Sequence, residues 1–192
     1  MGRASSLLDG IKQATPVVKS RVAQVTAAMD SVLKAGMQRA KDQGFDVDSP
    51  LVHWTDKDFD SFTPSVEGKY GPGVYAMKEF SGGQSYVKNQ DGARAMPLYT
   101  RGPIANREQI LQAENTLKNT DSLPADYKER MASIQGQLKK EGFTGLEWAG
   151  ETVVFDPSNI RSVYAQFDPA KRTSSNLLAS AAGAGILGAT SS

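Results

Sequence analysis

The fold is most constrained by residues 46–166, where short β-branched and aromatic runs alternate with glycine- and proline-containing turns. Runs of four to eight such residues between turn signals are typical of strands. Longer segments between them carry apolar residues at helical spacing. This texture predicts a domain of mixed strands and helices. The predicted strands are 51–54, 73–77, 97–101, 145–148, 152–155 and 160–166, and the predicted helices are 81–89, 106–119 and 124–141.

The composition is that of a globular protein with a balanced charge. Apolar residues make up 39% of the 192 residues and charged residues 22%, which favours a packed core over a disordered chain. The net charge is +1, from 22 basic and 21 acidic residues. A general nucleic-acid-binding surface needs a clear basic excess, so we expect no such partner.

The chain has no cysteine and a single histidine, His53. These counts exclude disulfide scaffolds, zinc fingers, thiol nucleophiles and sites built from several histidines. We therefore expect no metal. Catalysis would have to use carboxylate, hydroxyl, aromatic and backbone groups.

Residues 1–46 differ from the rest and predict a helical N-terminal extension. Pro16 suits the first turn of the helix and Gly44 suits its end. The helix either packs on the domain that follows or mediates contact with a partner or second copy through residues 17–43. Its apolar residues recur at spacings of three to five: Val18, Val22, Val25, Met29, Val32 and Met37.

The end of the chain differs in composition from the two parts before it. The sequence therefore divides into a helical N-terminal extension (1–46), a domain of strands and helices (47–168) and a tail rich in alanine and glycine (169–192). Residues 176–189 consist largely of alanine, glycine, leucine and isoleucine. This run is shorter than the ~20 residues that span a bilayer, so it predicts a frayed tail or a weak membrane or assembly contact. The N-terminus lacks the apolar core of a signal peptide. We therefore expect a cytoplasmic protein or one delivered into a host cell.

Three residues stand out as candidates for chemistry. Glu151 opens an apolar, β-branched strand, His53 lies within a predicted strand, and Tyr75 follows the turn Gly71-Pro72-Gly73. Each has an ordinary structural explanation when taken alone. These are a solvated edge charge, a hydrogen-bonded histidine and a core tyrosine.

Their order along the chain resembles the His-Tyr-Glu branch of the ADP-ribosyltransferase superfamily, which includes diphtheria-toxin-like and poly(ADP-ribose)-polymerase-like enzymes. The segments that carry the resemblance are Val52-His53-Trp54-Thr55, Gly71-Pro72-Gly73-Val74-Tyr75-Ala76 and Glu151-Thr152-Val153-Val154-Phe155-Asp156. The resemblance covers residues 50–166 and is closest to ADP-ribosyltransferase domains of polyvalent phage proteins and bacterial effectors.

The resemblance implies an α+β fold with a split core of two small antiparallel sheets, flanking helices and a cleft for NAD between the sheets. It also implies a mono-ADP-ribosyltransferase. Such an enzyme uses NAD as a substrate, cleaves the nicotinamide–ribose bond and transfers ADP-ribose to a macromolecular acceptor, expected to be a host protein.

The resemblance further assigns a role to each candidate residue. His53 would form a hydrogen bond with a ribose hydroxyl of NAD. Tyr75 would stack on the nicotinamide ring, and Tyr86 would stack on it as a second aromatic ring. Glu151 would accept a hydrogen bond from a hydroxyl of the nicotinamide ribose and would stabilise the positive charge of the transition state. The implied NAD-binding residues are His53, Trp54, Thr55, Gly73, Tyr75, Ser81, Ser85 and Tyr86.

Several positions depart from the family pattern. Trp54 replaces the glycine that follows the histidine, and its backbone would serve only if the indole points away. Gly83 falls where a serine is common. Ala149 stands two residues before Glu151, which argues against arginine as the acceptor, and leaves Glu147 as a weaker assisting carboxylate. The alternatives are a catalytically silent structural or interaction module of the same fold and an NAD glycohydrolase.

Overall fold

A computed structural model describes residues 16–78, 87 and 92–178, and these form an α+β fold. The predicted helix 81–89 lies outside them except for Val87. The described helices are α1 (Pro16–Asp42), α2 (Arg107–Asn119) and α3 (Tyr127–Lys140). The described strands are β1 (Phe45–Thr55), β2 (Val74–Met77), β3 (Arg94–Arg101), β4 (Ile104–Ala105), β5 (Gly145–Trp148), β6 (Glu151–Val154) and β7 (Ile160–Ser162).

These strands form one open sheet in the order β4-β5-β6-β2-β1-β3-β7. All neighbours are antiparallel except β4 and β5. We expected two small sheets, but β2 and β1 still pair, at Val52 and Met77. Pairing is more extensive on either side, with four pairs between β2 and β6 and seven between β1 and β3. The sheet is therefore continuous but narrowest at its centre.

Helices α2 and α3 pack on one face of the sheet, over β5, β6 and β2. Leu146 and Tyr75 both lie opposite Val153 on the neighbouring strands, so the three side chains share this face. The buried residues of this core are Tyr70, Ala105, Ile110, Ala113, Met131, Ile134, Leu138, Leu146, Val153 and Phe155.

The C-terminal end of α1 packs on the other half of the same face. Val52 lies opposite both Met77 and Pro97, so its face of the sheet continues to Tyr99, two residues beyond Pro97. Tyr99 shares a core cluster with Ala40 of α1. The helices thus cover both ends of one face, and no described helix lies over its centre, where β2 meets β1.

Most of α1 extends away from the domain. Ala40 is fully buried, and the Gln43 side chain donates to the Phe167 carbonyl at 2.5 Å. By contrast, the residues of 23–35 whose side chains are described are all exposed. The helix ends before Gly44, whose φ of 82° confirms the predicted stop. None of the described helices is both long enough and apolar enough to cross a membrane.

The core on the opposite face of the sheet includes a residue from the C-terminal segment. Leu177 is 2% exposed within a core that includes Leu98 and Val154, and its N–H donates to the Asp60 carbonyl at 2.7 Å. Residues 169–178 therefore pack with the domain and do not begin a separate tail. At the other end of the domain, Phe45 already belongs to β1.

Differences from the predicted strands have local causes. The carboxylate of Asp46 accepts bonds from the N–H groups of Asp48 and Ser49, so a polar turn within β1 hides the start of that strand. Strand β7 ends at Ser162, because the Ala165 N–H turns back to the Ser162 carbonyl at 3.0 Å. Strand β4 has only two residues, which is too short for a periodic signal.

The effect of backbone geometry on stability can be tested by replacing glycine with alanine at two positions that differ in φ. A Cβ added at Gly136 in α3 or at Gly150 between β5 and β6 meets nothing within 4 Å, but only Gly150 has a positive φ, 84°. We expect Gly136→Ala to stabilise the protein by ~1 kcal/mol through helix propensity. Gly150→Ala should destabilise it by ~1 kcal/mol, because alanine is strained in the left-handed region. Urea unfolding would check both, and shifts of the same sign would contradict the geometry.

Candidate functional site

A cleft of about 730 Å³ opens where β2 meets β1. It brings together four of the residues predicted from the sequence: His53, Trp54, Tyr75 and Glu151. The strands that carry these residues are distant in the chain and meet only through the sheet. A wall of the cleft comes from the loop before β2, through Ser65, Gly68, Lys69 and Tyr70.

His53 bridges the two strands just beyond their single paired position. Its Nδ1 lies 2.7 Å from the Tyr75 carbonyl oxygen. A carbonyl only accepts hydrogen bonds, so Nδ1 carries the proton and donates it. The imidazole thus supplies a bond where the backbone pairing of β1 and β2 has stopped at Val52 and Met77.

The same environment keeps the His53 ring neutral. Burial lowers the pKa of His53, and the bond to the Tyr75 carbonyl only partly offsets that effect. The ring makes edge-to-face contacts with Phe62 and Phe59, at centroid distances of 4.9 and 6.2 Å. A neutral ring that is protonated on Nδ1 offers Nε2 as a hydrogen-bond acceptor.

Tyr75 is held by its hydroxyl group. The hydroxyl donates to the Gly71 carbonyl at 2.7 Å and accepts from the Tyr70 N–H at 2.9 Å. Burial raises the pKa of Tyr75, the hydrogen bond from the Tyr70 backbone partly offsets this effect, and the nearby Glu151 carboxylate adds a smaller increase. The ring also closes on the loop so tightly that a Cβ at Gly68 would collide with it. Tyr75 therefore presents to the cleft a ring that is held in place and whose hydroxyl group keeps its proton.

The loop that forms the wall is fastened at several points. Ser65 and Gly73 exchange two backbone hydrogen bonds, of 2.8 and 3.0 Å, which close the loop at its base. Gln135 of α3 is 1% exposed and donates from Nε2 to the Tyr70 carbonyl at 2.8 Å. These bonds join the loop to the helical core, so the wall is part of the folded domain.

Glu151 begins β6 directly after a two-residue turn. The turn residues Ala149 and Gly150 have φ values of 52° and 84°, which is typical of a type I′ hairpin. Glu151 pairs with Trp148 on one side and Met77 on the other. Because Met77 and Tyr75 are two residues apart, the half-buried Glu151 projects from the same face as Tyr75.

Lys69 was not predicted as a site residue. Its Nζ lies 5.2 Å from the centroid of the Tyr70 ring. The pKa of Lys69 is raised, mainly by hydrogen bonding to Tyr70, with a smaller contribution from Glu151. Among the described lining residues of the cleft, Lys69 is the only cation and Glu151 the only anion. Gly68 and Gly71 on either side of Lys69 indicate a tight loop in the sequence. They do not indicate that this loop lies beside the cleft.

Trp54 lies on the cleft side of β1. It lies two residues after Val52, which pairs with Met77, so Trp54 projects from the face that carries Tyr75 and Glu151. The condition that its indole point away from the ligand is therefore not met. The side chain is half-buried and adds an indole ring to the lining of the cleft, beside Tyr70 and Tyr75. His53 lies between Val52 and Trp54 and projects from the opposite face, where its ring contacts Phe59 and Phe62, so it borders the cleft from that side.

Two predicted ligand-binding residues do not line the cleft. Thr55 is buried, and its hydroxyl accepts from the Lys57 N–H at 3.1 Å. Gly73 faces β6, where an added Cβ would lie 2.5 Å from Val153 Cγ1 and 2.8 Å from the Val154 carbonyl. Gly73 therefore permits close strand packing and not the approach of a ligand. Ser81, Gly83, Ser85 and Tyr86 lie outside the described residues.

Glu147 does not assist Glu151. It pairs with Thr152, one position from the Trp148–Glu151 pair, so its side chain leaves the opposite face of the hairpin. Its carboxylate forms a salt bridge of 2.6 Å with Lys78 Nζ. The hypothesis of an assisting carboxylate at this position is wrong.

Comparisons with known proteins add no relative to this picture. No family model, curated protein or solved structure matches the chain. Within the described residues, no three or more histidine, cysteine, aspartate or glutamate side chains are grouped as they would be around a metal ion.

The hydroxyl of Tyr75 can be removed without removing its ring. Tyr75→Phe would leave the Tyr70 N–H and the Gly71 carbonyl without this partner, and we expect a loss of ~1–2 kcal/mol in the free energy of unfolding. Amide hydrogen exchange at Tyr70 should accelerate. Tyr164→Phe, at a side chain 68% exposed, is the matched control. Equal effects of the two variants would contradict the pinning of the loop.

The lowered pKa of His53 predicts a pH dependence of stability. The folded ring should stay neutral below pH 6.5, the ordinary histidine value. As the pH falls from 6.5 toward the folded pKa, the unfolded chain binds a proton that the folded chain does not, so the contribution of His53 to stability is lost. NMR titration of this sole imidazole should give a midpoint below 6.5 when folded. A midpoint at or above that of the urea-unfolded chain would contradict the burial of a neutral ring.

Proposed function

We propose that this protein is a mono-ADP-ribosyltransferase that cleaves NAD at the nicotinamide–ribose bond. The observation that carries the proposal is that His53, Tyr75 and Glu151 line the same cleft. The fold supports it as well. The sheet is continuous, but its single pair between β2 and β1 weakens it at the place where the split core of an ADP-ribosyltransferase-like fold would hold NAD.

Glu151 is suited to stabilise the transition state of this reaction. Cleavage of the nicotinamide–ribose bond passes through an oxocarbenium-like state, as cleavage of a glycoside does. A half-buried carboxylate beside the developing positive charge lowers the barrier, because the charge is larger in the transition state than in the ground state. Nicotinamide leaves as a neutral molecule, so the cleft needs no general acid.

His53 and the aromatic residues are suited to orient NAD. The Nε2 atom of a neutral His53 would accept a hydrogen bond from a ribose hydroxyl. Tyr75 and Trp54 offer aromatic faces for the flat, cationic nicotinamide ring, which favour binding through stacking and cation–π attraction. Trp54 would then narrow the nicotinamide site where the family pattern has glycine.

The charges of the cleft complement those of a dinucleotide. NAD carries a cationic nicotinamide ring at one end and an anionic pyrophosphate at its centre. Glu151 would face the ribose beside the ring, and Lys69 on the loop would reach the pyrophosphate as a compact cation. The described lining of the cleft has no second carboxylate, which argues against arginine as the acceptor.

A pair of Glu→Gln variants tests the proposal. Glu151→Gln should slow the release of nicotinamide from NAD by at least ~100-fold, a typical cost of removing an electrostatic stabiliser. NAD affinity should change much less. Glu147→Gln makes the same substitution on the opposite face of the same hairpin and should leave the rate nearly unchanged. Chromatography of nicotinamide measures the rate, and equal rates in wild type and Glu151→Gln would reject the mechanism.

Binding and product analysis separate the alternatives. Calorimetry that detects no NAD binding to the wild-type protein would favour a silent module of the same fold, with Trp54 filling the nicotinamide site. If NAD is consumed, free ADP-ribose as the sole product indicates a glycohydrolase, with water as the acceptor. Transfer of label from NAD to a lysate protein indicates a transferase, and mass spectrometry would then identify the modified residue.

A further inference from the structure

The free part of α1 exposes an apolar stripe. Met29 and Val32 are 61% and 68% exposed, and Leu33 beside them is 46% exposed. An isolated helix of this length is marginally stable in water and usually depends on the burial of an apolar face. The stripe therefore needs a covering surface that one copy of the described domain does not supply.

The stripe continues the contact between α1 and the domain. Gly36 approaches the Ala165 carbonyl, Arg39 Nε donates to the Gln166 carbonyl at 2.9 Å, and Ala40 is fully buried. These positions follow Met29, Val32 and Leu33 at helical spacing, so they lie on one face of α1. The domain covers the C-terminal end of this face and leaves the N-terminal end open.

We propose that a second copy of this chain covers the open end, by pairing its own α1 with the first in an antiparallel coiled coil. The apolar pattern of α1 begins about three helical turns before Met29. Its positions recur at alternating spacings of four and three residues, as the seam of a coiled coil requires. The seam positions are Val18, Val22, Val25, Met29, Val32 and Gly36.

The residues beside the seam suit self-pairing. Ala28, Leu33 and Ala35 flank its C-terminal half and are uncharged. Lys19 and Arg21 flank its N-terminal half, where they would lie opposite Ala35 and Leu33 of an antiparallel partner. Asp30 and Lys34 fall away from the seam. A second copy therefore brings no like charges into opposition along this part of the helix. Such a seam presents the same apolar surface on both partners, which is the requirement of a two-fold symmetric contact.

The domain determines the direction of pairing. A partner helix that ran parallel to α1 would reach the domain at Gly36 and compete with it for the same face. An antiparallel helix instead ends where the domain begins, with seam positions 22 and 25 opposite 32 and 29. The two domains then lie at opposite ends of the helix pair and do not meet.

The mass of the full-length protein in solution tests the pairing. Sedimentation equilibrium should give twice the 20.6 kDa of one chain, and Met29→Glu/Val32→Glu should return it to one chain. Ser31→Glu/Lys34→Glu places the same residues on the side of the helix away from the seam and should remain dimeric. Both variants alter exposed side chains, so their circular dichroism should match that of wild type. A monomeric wild type, or loss of dimer in both variants, would overturn the proposal.

Spin labels test the direction, since the chain has no cysteine of its own. Antiparallel pairing should place labels at Ala27→Cys level along the helix axis, separated only by the width of the helix pair, and should separate those at Lys41→Cys by about 40 Å along the axis, at 1.5 Å per residue. Short distances at both sites would mean parallel pairing and overturn the proposed geometry. No dipolar coupling at either site would mean a monomer, with the stripe covered by residues 179–192 or by another protein, and would also overturn it.

Discussion

The cleft depends on the hydrogen bond from His53 Nδ1 to the Tyr75 carbonyl. The backbones of β1 and β2 pair at a single position, and strands that separate leave peptide groups that need other partners. At 2.7 Å the imidazole satisfies one of them by bridging from β1 to the backbone of β2. The same bond fixes the tautomer of His53 and ties its ring to the backbone that carries Tyr75.

The position of the cleft follows from how the helices share one face of the sheet. Helices α2 and α3 bury the side chains of β5, β6 and β2, whereas α1 packs at the far end of β1 and β3. The wall-forming loop fills part of the space between them and is held to α3 by Gln135. Glu151 therefore lies beside apolar residues, where electrostatic interactions are stronger than in open water.

Local sequence signals predicted the regular elements better than the shape of the site. Helix α2 begins at a capping box of Asn106 and Gln109, and its signal depends on neighbouring residues alone. The face of Glu147 was also predictable, because a two-residue turn at 149–150 makes residue 148 face 151. The role of Lys69 was not predictable, because its position depends on the Tyr75 hydroxyl and on Gln135, which is 66 positions away.

The hydrogen bonds of the cleft restrict the chemistry that its residues can perform. The Tyr75 hydroxyl both donates and accepts within the loop, and its raised pKa opposes loss of its proton. The neutral His53 ring has one N–H proton, which it uses in the hydrogen bond to the Tyr75 carbonyl, and it offers a lone pair at Nε2. Neither residue is therefore suited to donate a proton to a leaving group. The charge of Glu151 remains as the main chemical resource, and it suits a substrate whose leaving group departs neutral as the sugar becomes cationic.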